Sequence, residues 1–172
     1  MRKSYLLMSL LIIATIVSCA RGGNDNPGEN DPGGNGAAAN NVEGSLPEIL
    51  QRIYDNYEGP ELPGTFEEEL THEGTEFNPS VEYFIGSEEI PFKDGLVSES
   101  AFGGGYSVVL LRMEENADIK AAKEEIAEKV DPWKWICMGV EAEDVIVDSK
   151  GDLVILIMSE NSKELHDAFL KL

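Results

Sequence analysis

Tyr106-Ser-Val-Val-Leu-Leu-Arg-Met113 (YSVVLLRM) is apolar at nearly every position and follows three consecutive glycines, Gly103–Gly105. A short, almost continuous apolar run bounded by a turn signal is the pattern of a central strand, covered by other elements. A second such run, Leu153–Met158 (LVILIM), pairs naturally with Asp144–Val147 in a β-hairpin around Ser149-Lys150-Gly151-Asp152, where Gly151 supplies a positive φ. These segments call for a sheet, and the rest of the chain must supply its cover.

Outward from that sheet, three segments read as helices. Ser45-Leu-Pro-Glu48 is a capping box with proline in the first turn. Leu46, Ile49, Leu50, Ile53, Tyr54 and Tyr57 then recur at helical spacing until Gly59-Pro60. Asn116 is placed to cap a second helix with Ile119, Ala122, Ile126 and Val130 inward. Its outer face carries Lys120–Glu124 and Glu125–Lys129 pairs, and Asp131-Pro132 stops it. Asn161 or Ser162 caps a third, with Leu165, Ala168, Phe169 and Leu172 on its stripe. Residues 59–80 read as an acidic connection with one helical turn at Phe66–Leu70. Val81, Tyr83 and Ile85 alternate as a short strand does, and a loop carrying Gly86, Pro91 and Gly95 follows. The order α–β–β–α–β–β–α predicts an α+β two-layer sandwich, a four-stranded, mainly antiparallel sheet with helices on one face. A weaker alternative places helices on both faces.

The N-terminus is of a different kind. Arg2 and Lys3 precede an uncharged run from Tyr5 to Val17, the length of a signal-peptide core and short for a membrane span. Two processing routes compete. Ser18-Cys19-Ala20 has the small residues of ordinary cleavage, whereas Ile16-Val17-Ser18-Cys19 resembles the bacterial lipobox. The lipobox resemblance, the more specific of the two, implies removal of residues 1–18 and a diacylglycerol on the Cys19 thiol. Two or three acyl chains hold a soluble domain stably at a membrane, and one does not. Of the 25 residues from Ala20 to Gly44, 19 are Gly, Asn, Pro or Ala. Such a stretch cannot bury enough surface to offset its ordering entropy, so 19–44 reads as the lipidated cysteine and a flexible tether, spanning roughly 25–30 Å as a coil. Residues 45–172 form the single folded domain. With Cys19 acylated, Cys137 has no intramolecular partner and reads as a buried free thiol beside Trp135, Ile136 and Met138.

The net charge of −20 becomes −22 once residues 1–18, with Arg2 and Lys3 and no acid, are removed. Such a field repels nucleic acid and anionic head groups and leaves no nucleic-acid partner to expect. With 33 acidic residues, paired carboxylates carry no information. His72-Glu73-Gly74-Thr75-Glu76 is a poor zinc-protease motif, because its second ligand would be Glu76 and glycine breaks the helix. "NDNPGENDPGG" lacks the closing glutamate of a calcium loop. Gly103–Gly105 precedes a strand instead of opening a helix, so it is no phosphate loop. No catalytic residue, metal ligand or cofactor is predicted. Trp133 and Trp135 alternate and, in an extended segment, would share a side, either as a lid on the core or as a ligand surface.

The segments "EYFIGSEEIPFKDGLVSESA" (82–101), "SVVLLRMEENADIKAAKEEI" (107–126), "DPWKWICMGVEAEDVIVD" (131–148), "GDLVILIM" (151–158) and "HDAFLKL" (166–172) together resemble a bacterial lipoprotein family, the domain-of-unknown-function family 4358. The resemblance spans about Ser45 to Leu172. It implies a lipobox and a low-complexity tether, and carries over no activity and no catalytic residues. Ser100–Gly105 departs from it, being glycine-rich where the family has bulkier residues. The expected function is that of a lipid-anchored extracytoplasmic lipoprotein at the cell membrane, a non-enzymatic binding or accessory domain with a protein partner in the envelope. Two alternatives are a cell-envelope enzyme or ligand-binding domain using acidic residues near Trp133 and Trp135, and a cation binder acting through the acidic surface.

Overall fold

A computed structural model describes residues 41–74 and 79–172. The signal-peptide reading of 1–18, Cys19 and the tether up to residue 40 lie outside them, as do Thr75 and Glu76 of the zinc-like motif. The described chain forms an open, antiparallel sheet of five strands with four α-helices. In chain order these are α1 (Leu46–Asn56), β1 (Thr65–Glu69), α2 (Val81–Ile85), β2 (Phe92–Ser100), β3 (Tyr106–Met113), α3 (Ile119–Lys129), β4 (Val145–Lys150), β5 (Leu153–Ser159) and α4 (Ser162–Leu170). The strands lie side by side as β1-β2-β3-β5-β4.

The two apolar runs sit in the sheet interior, with Val108 opposite Ile157 and Val109 opposite Leu156. The hairpin turns on Gly151-Asp152, since Lys150 faces Leu153 and Gly151 has φ +60°. Because successive side chains point to opposite faces, an unbroken apolar strand has no face it can give to water. Val109, Leu111, Val154 and Leu156 join the core beneath α2 and α3, whereas Val108, Leu110, Leu153 and Ile155 join a second core beneath α1 and α4. Helices therefore cover both faces, and the one-faced two-layer arrangement is corrected to three layers. Burying only one face would leave a stripe of valine, leucine and isoleucine in water at about 25 cal/mol per Å².

Three further elements differ from expectation. Val81–Ile85 is a helix, because Val81, Phe84 and Ile85 sit at i, i+3 and i+4 and all three are buried. A five-residue apolar run fits either period, and packing decides. Phe66–Leu70 forms no helical turn: Thr65–Glu69 is an edge strand, its Phe66 opposite Glu99. Phe92–Ser100, expected to be a loop, is a strand as well; with Val81–Ile85 lost and these two gained, the expected four strands become five. Its polar residues gave no apolar alternation, yet partners satisfy them: Tyr54 donates to Ser98 Oγ at 2.8 Å, and Tyr106 donates to Tyr54 at 3.0 Å. Burial pushes both phenols above their ordinary acidity range. Asp118, not Asn116, caps α3, accepting from the Ala121 N–H at 3.0 Å.

The capping box at Ser45 forms as expected, Glu48 accepting from the Ser45 N–H and hydroxyl. Val42 is already in the core, three residues before it. Arg112 ties this entry segment to the sheet, donating to the carbonyls of Val42 and Gly44 and pairing with Asp152 at 3.1 Å.

Candidate functional site

β2 ends at Ser100 and β3 begins at Tyr106, so the loop 101–105 marks one end of the sheet. After α3 the segment 130–140 runs back over that end. Asp131 accepts from the Trp133 N–H at 2.8 Å, Val140 N–H bonds the Pro132 carbonyl at 3.0 Å, and Trp135 forms an isolated bridge with Met138. The segment is therefore a folded loop, not an extended strand. Trp133 and Trp135 part company within it: Trp133 is 60% exposed, while Trp135 is half-buried against the core.

The side chain that this loop inserts is Lys134. Its ammonium donates to Glu99 of β2. It also lies 4.6 Å from the Phe84 ring centre, 4.8 Å from Tyr83 and 5.0 Å from Trp135. Lys134 keeps 3% of its side-chain exposure and Glu99 9%. Burial pushes the Lys134 ammonium below the ordinary lysine range, with the Glu99 carboxylate opposing that displacement. A desolvated ammonium among aromatic faces gains about 2 kcal/mol from them, and the paired carboxylate neutralises it. Sealed in this way, Lys134 is a clamp on the loop. Glu82, Tyr83, Gly86, Lys129, Asp131 and Lys134 line a shallow cleft of about 300 Å³ beside it, at the lower limit of ligand-sized cavities.

Around this clamp the molecule exposes its apolar side chains. Of the seven large hydrophobics exposed among the described residues, Phe66, Tyr83, Phe102, Trp133, Ile136 and Met138 gather at this end; only Leu170 lies elsewhere. Phe102 is 92% exposed and Ile136 93%. Their connection follows from close contacts. Phe66 faces Glu99 across β1 and β2, and Glu99 holds Lys134 against Tyr83. Gly64 faces Phe102 and Gly139 abuts the Trp133 ring. Gly104 packs against the Met138 side chain where the two loops meet, and its φ of +83° is the left-handed conformation that favours glycine.

Cys137 stands on the same loop, exposed and free, with φ +64°. Its expected burial is corrected, because the turn at Trp135–Met138 points its side chain away from the core. His72 stacks on Phe92 at 4.3 Å, with Nδ1 3.3 Å from the Glu88 carbonyl. Among the described residues no cluster of three or more His, Cys, Asp or Glu could hold a metal, and no helix is long and apolar enough to cross a membrane. Sequence reasoning missed Glu99, Lys134 and Phe102. A polar strand gives no sign that its glutamate is buried, and the signal for Phe102 was an aromatic residue beside three glycines. The chain matches no family model, no curated protein and no solved structure.

Proposed function

We propose that the protein is a lipid-anchored lipoprotein on the extracytoplasmic face of the cell membrane, whose folded domain is a non-enzymatic binding or accessory module for an envelope protein. Acylated Cys19 anchors it, the Gly/Asn-rich tether holds it off the bilayer, and the resemblance to lipoprotein family 4358 agrees with both. The observation that supports a binding role is the gathering of six exposed large hydrophobics at one end of the sheet. Exposed apolar surface gathered in one place is the mark of an interaction site.

The envelope-enzyme reading needs a carboxylate near the tryptophans with its acidity displaced upward. Among the described residues, the carboxyls that depart from the ordinary range, Glu48, Glu125 and Asp148, are held below it. Glu99, against the Trp135 cage, is engaged by Lys134.

Radiolabelled palmitate supplied to expressing cells is expected to label the wild-type protein and not Cys19→Ala. A photo-crosslinker replacing Phe102 should give a discrete adduct in native membranes, and one replacing Leu170 should not. Unlabelled wild type removes the anchor, and recovery of the domain alone from both positions removes the binding role.

A further inference from the structure

We infer that the apolar end of the sheet is a docking surface for a cationic polypeptide segment with apolar side chains. This rests on the reading that the domain binds a protein, and it states what that protein must present.

The apolar half of the argument is the cluster of Phe66, Phe102, Trp133, Ile136 and Met138 around Lys134. The charge half comes from what surrounds it. No lysine or arginine occurs between Arg52 and Lys93, or between Lys93 and Arg112, so the segments carrying Phe66, Tyr83 and Phe102 bring none. The loop 131–140 brings only Lys134, which is buried against Glu99. Lys129, at the edge of the adjoining cleft, pairs with Glu125 at 2.8 Å. The acids remain. Glu82 and Asp131 line the cleft beside Tyr83, and Glu141 and Glu143 leave the loop exposed.

This combination selects among occupants. From residue 41 onward the chain has 30 acids and 10 lysines or arginines, so a second copy would set like fields face to face. An anionic bilayer or a nucleic acid meets the same repulsion. A segment alternating basic and apolar residues places its hydrophobes on the aromatic cluster and its cations against the surrounding carboxylates, and the opposite fields also steer the encounter.

The test uses chain 19–172 carrying Cys19→Ala, with tryptophan emission reporting on exposed Trp133. The probes are 14-residue peptides of alternating Lys/Leu, Lys/Ser and Glu/Leu, and vesicles of phosphatidylglycerol or phosphatidylcholine. The Lys/Leu peptide is expected to shift the emission to the blue and to bind more tightly than Lys/Ser and Glu/Leu by about tenfold or more. Phe102→Ser/Ile136→Ser should lose about tenfold, the equivalent of about 1.4 kcal/mol, while Leu170→Ser stays within about twofold. Equal binding of Lys/Ser shows a mere counterion atmosphere, and equal binding of Glu/Leu shows a surface indifferent to charge. A shift with vesicles makes the surface a lipid site. No shift, or full binding by the double variant, overturns the inference as well. Should Phe102 crosslink in membranes to an acidic or uncharged segment, this inference falls while the binding role stands. With no adduct there, both fall.

Discussion

His166 Nε2 on α4 lies 2.7 Å from Asp148 Oδ2 on β4, and the other oxygen of the same carboxylate accepts from Lys123 on α3 at 3.1 Å. One acid on the edge strand thus joins the helices that cover opposite faces of the sheet. Burial raises the Asp148 carboxyl. The hydrogen bonds from His166, the Ser149 N–H and Lys123, together with the Lys123 charge, outweigh it and hold the group below its ordinary value of 3.8. A carboxyl so depressed contributes stability that is fully present above 3.8 and is lost as the pH falls through the lower folded-state value. Asp148→Asn should cost about 1–2 kcal/mol at pH 7 and visibly less at pH 3. Urea unfolding at both pH values measures this, and an equal cost at each would show that the charge is immaterial.

The Lys134–Glu99 pair gives a contrasting expectation. Removing one member leaves a buried charge uncompensated, so Lys134→Met should cost about 3–5 kcal/mol. Replacing both, as Glu99→Leu/Lys134→Met, should return stability to within about 1 kcal/mol of wild type, since buried pairs are often no better than well-packed apolar residues. Denaturant titration of the wild type, Lys134→Met, Glu99→Leu and the double variant completes the cycle. A double variant as unstable as the single one would assign the cost to loop packing instead of the charge.

Gly86 ends α2 with φ +79°, and a Cβ there would fall 2.2 Å from the Lys129 carbonyl oxygen. Left-handed strain and backbone overlap act together, so Gly86→Ala should destabilise by about 2–4 kcal/mol. Ala at Gly103, also at positive φ but with open space around its Cβ position, isolates the strain alone and should cost about 1–2 kcal/mol. Thermal unfolding of the pair separates the two effects.

Arg112 holds the domain's first packed segment through two carbonyls while pairing with Asp152. A lysine cannot make these forked contacts, so Arg112→Lys should cost about 1–2 kcal/mol. The release should be local. Cleavage at exposed Glu43 by a glutamate-specific protease, followed by mass spectrometry, should accelerate more than cleavage at sites within α3. Uniform acceleration would mean global loosening.

Elements were legible where local pattern and tertiary demand agreed. The helices at 46–56, 119–129 and 162–170 carry apolar stripes that are buried as their spacing requires. The hairpin follows from two apolar runs and a glycine. Val81–Ile85 was ambiguous because five residues cannot separate a period of 2 from one of 3.6. Phe92–Ser100 was unreadable because its strand character comes from neighbours on both sides: Gly95 sits where a Cβ would fall 2.9 Å from Leu70, and Glu99 is buried only because Lys134 reaches it.

By itself the sequence determined a mixed fold about two almost wholly apolar strands, three helices with their apolar faces, and a strongly acidic chain. Each of these depends on residues close together along the chain. The tertiary structure alone decided that helices cover both faces of the sheet and that a polar segment becomes its second strand. It also decided that Trp133 faces water while Trp135 packs inward, and it brought Phe66, Phe102 and Ile136 to one end of the molecule. Those outcomes depend on tertiary contacts such as that of Glu99 with Lys134, 35 residues apart, where burial of an apolar strand and neutralisation of a buried lysine outweigh local propensity.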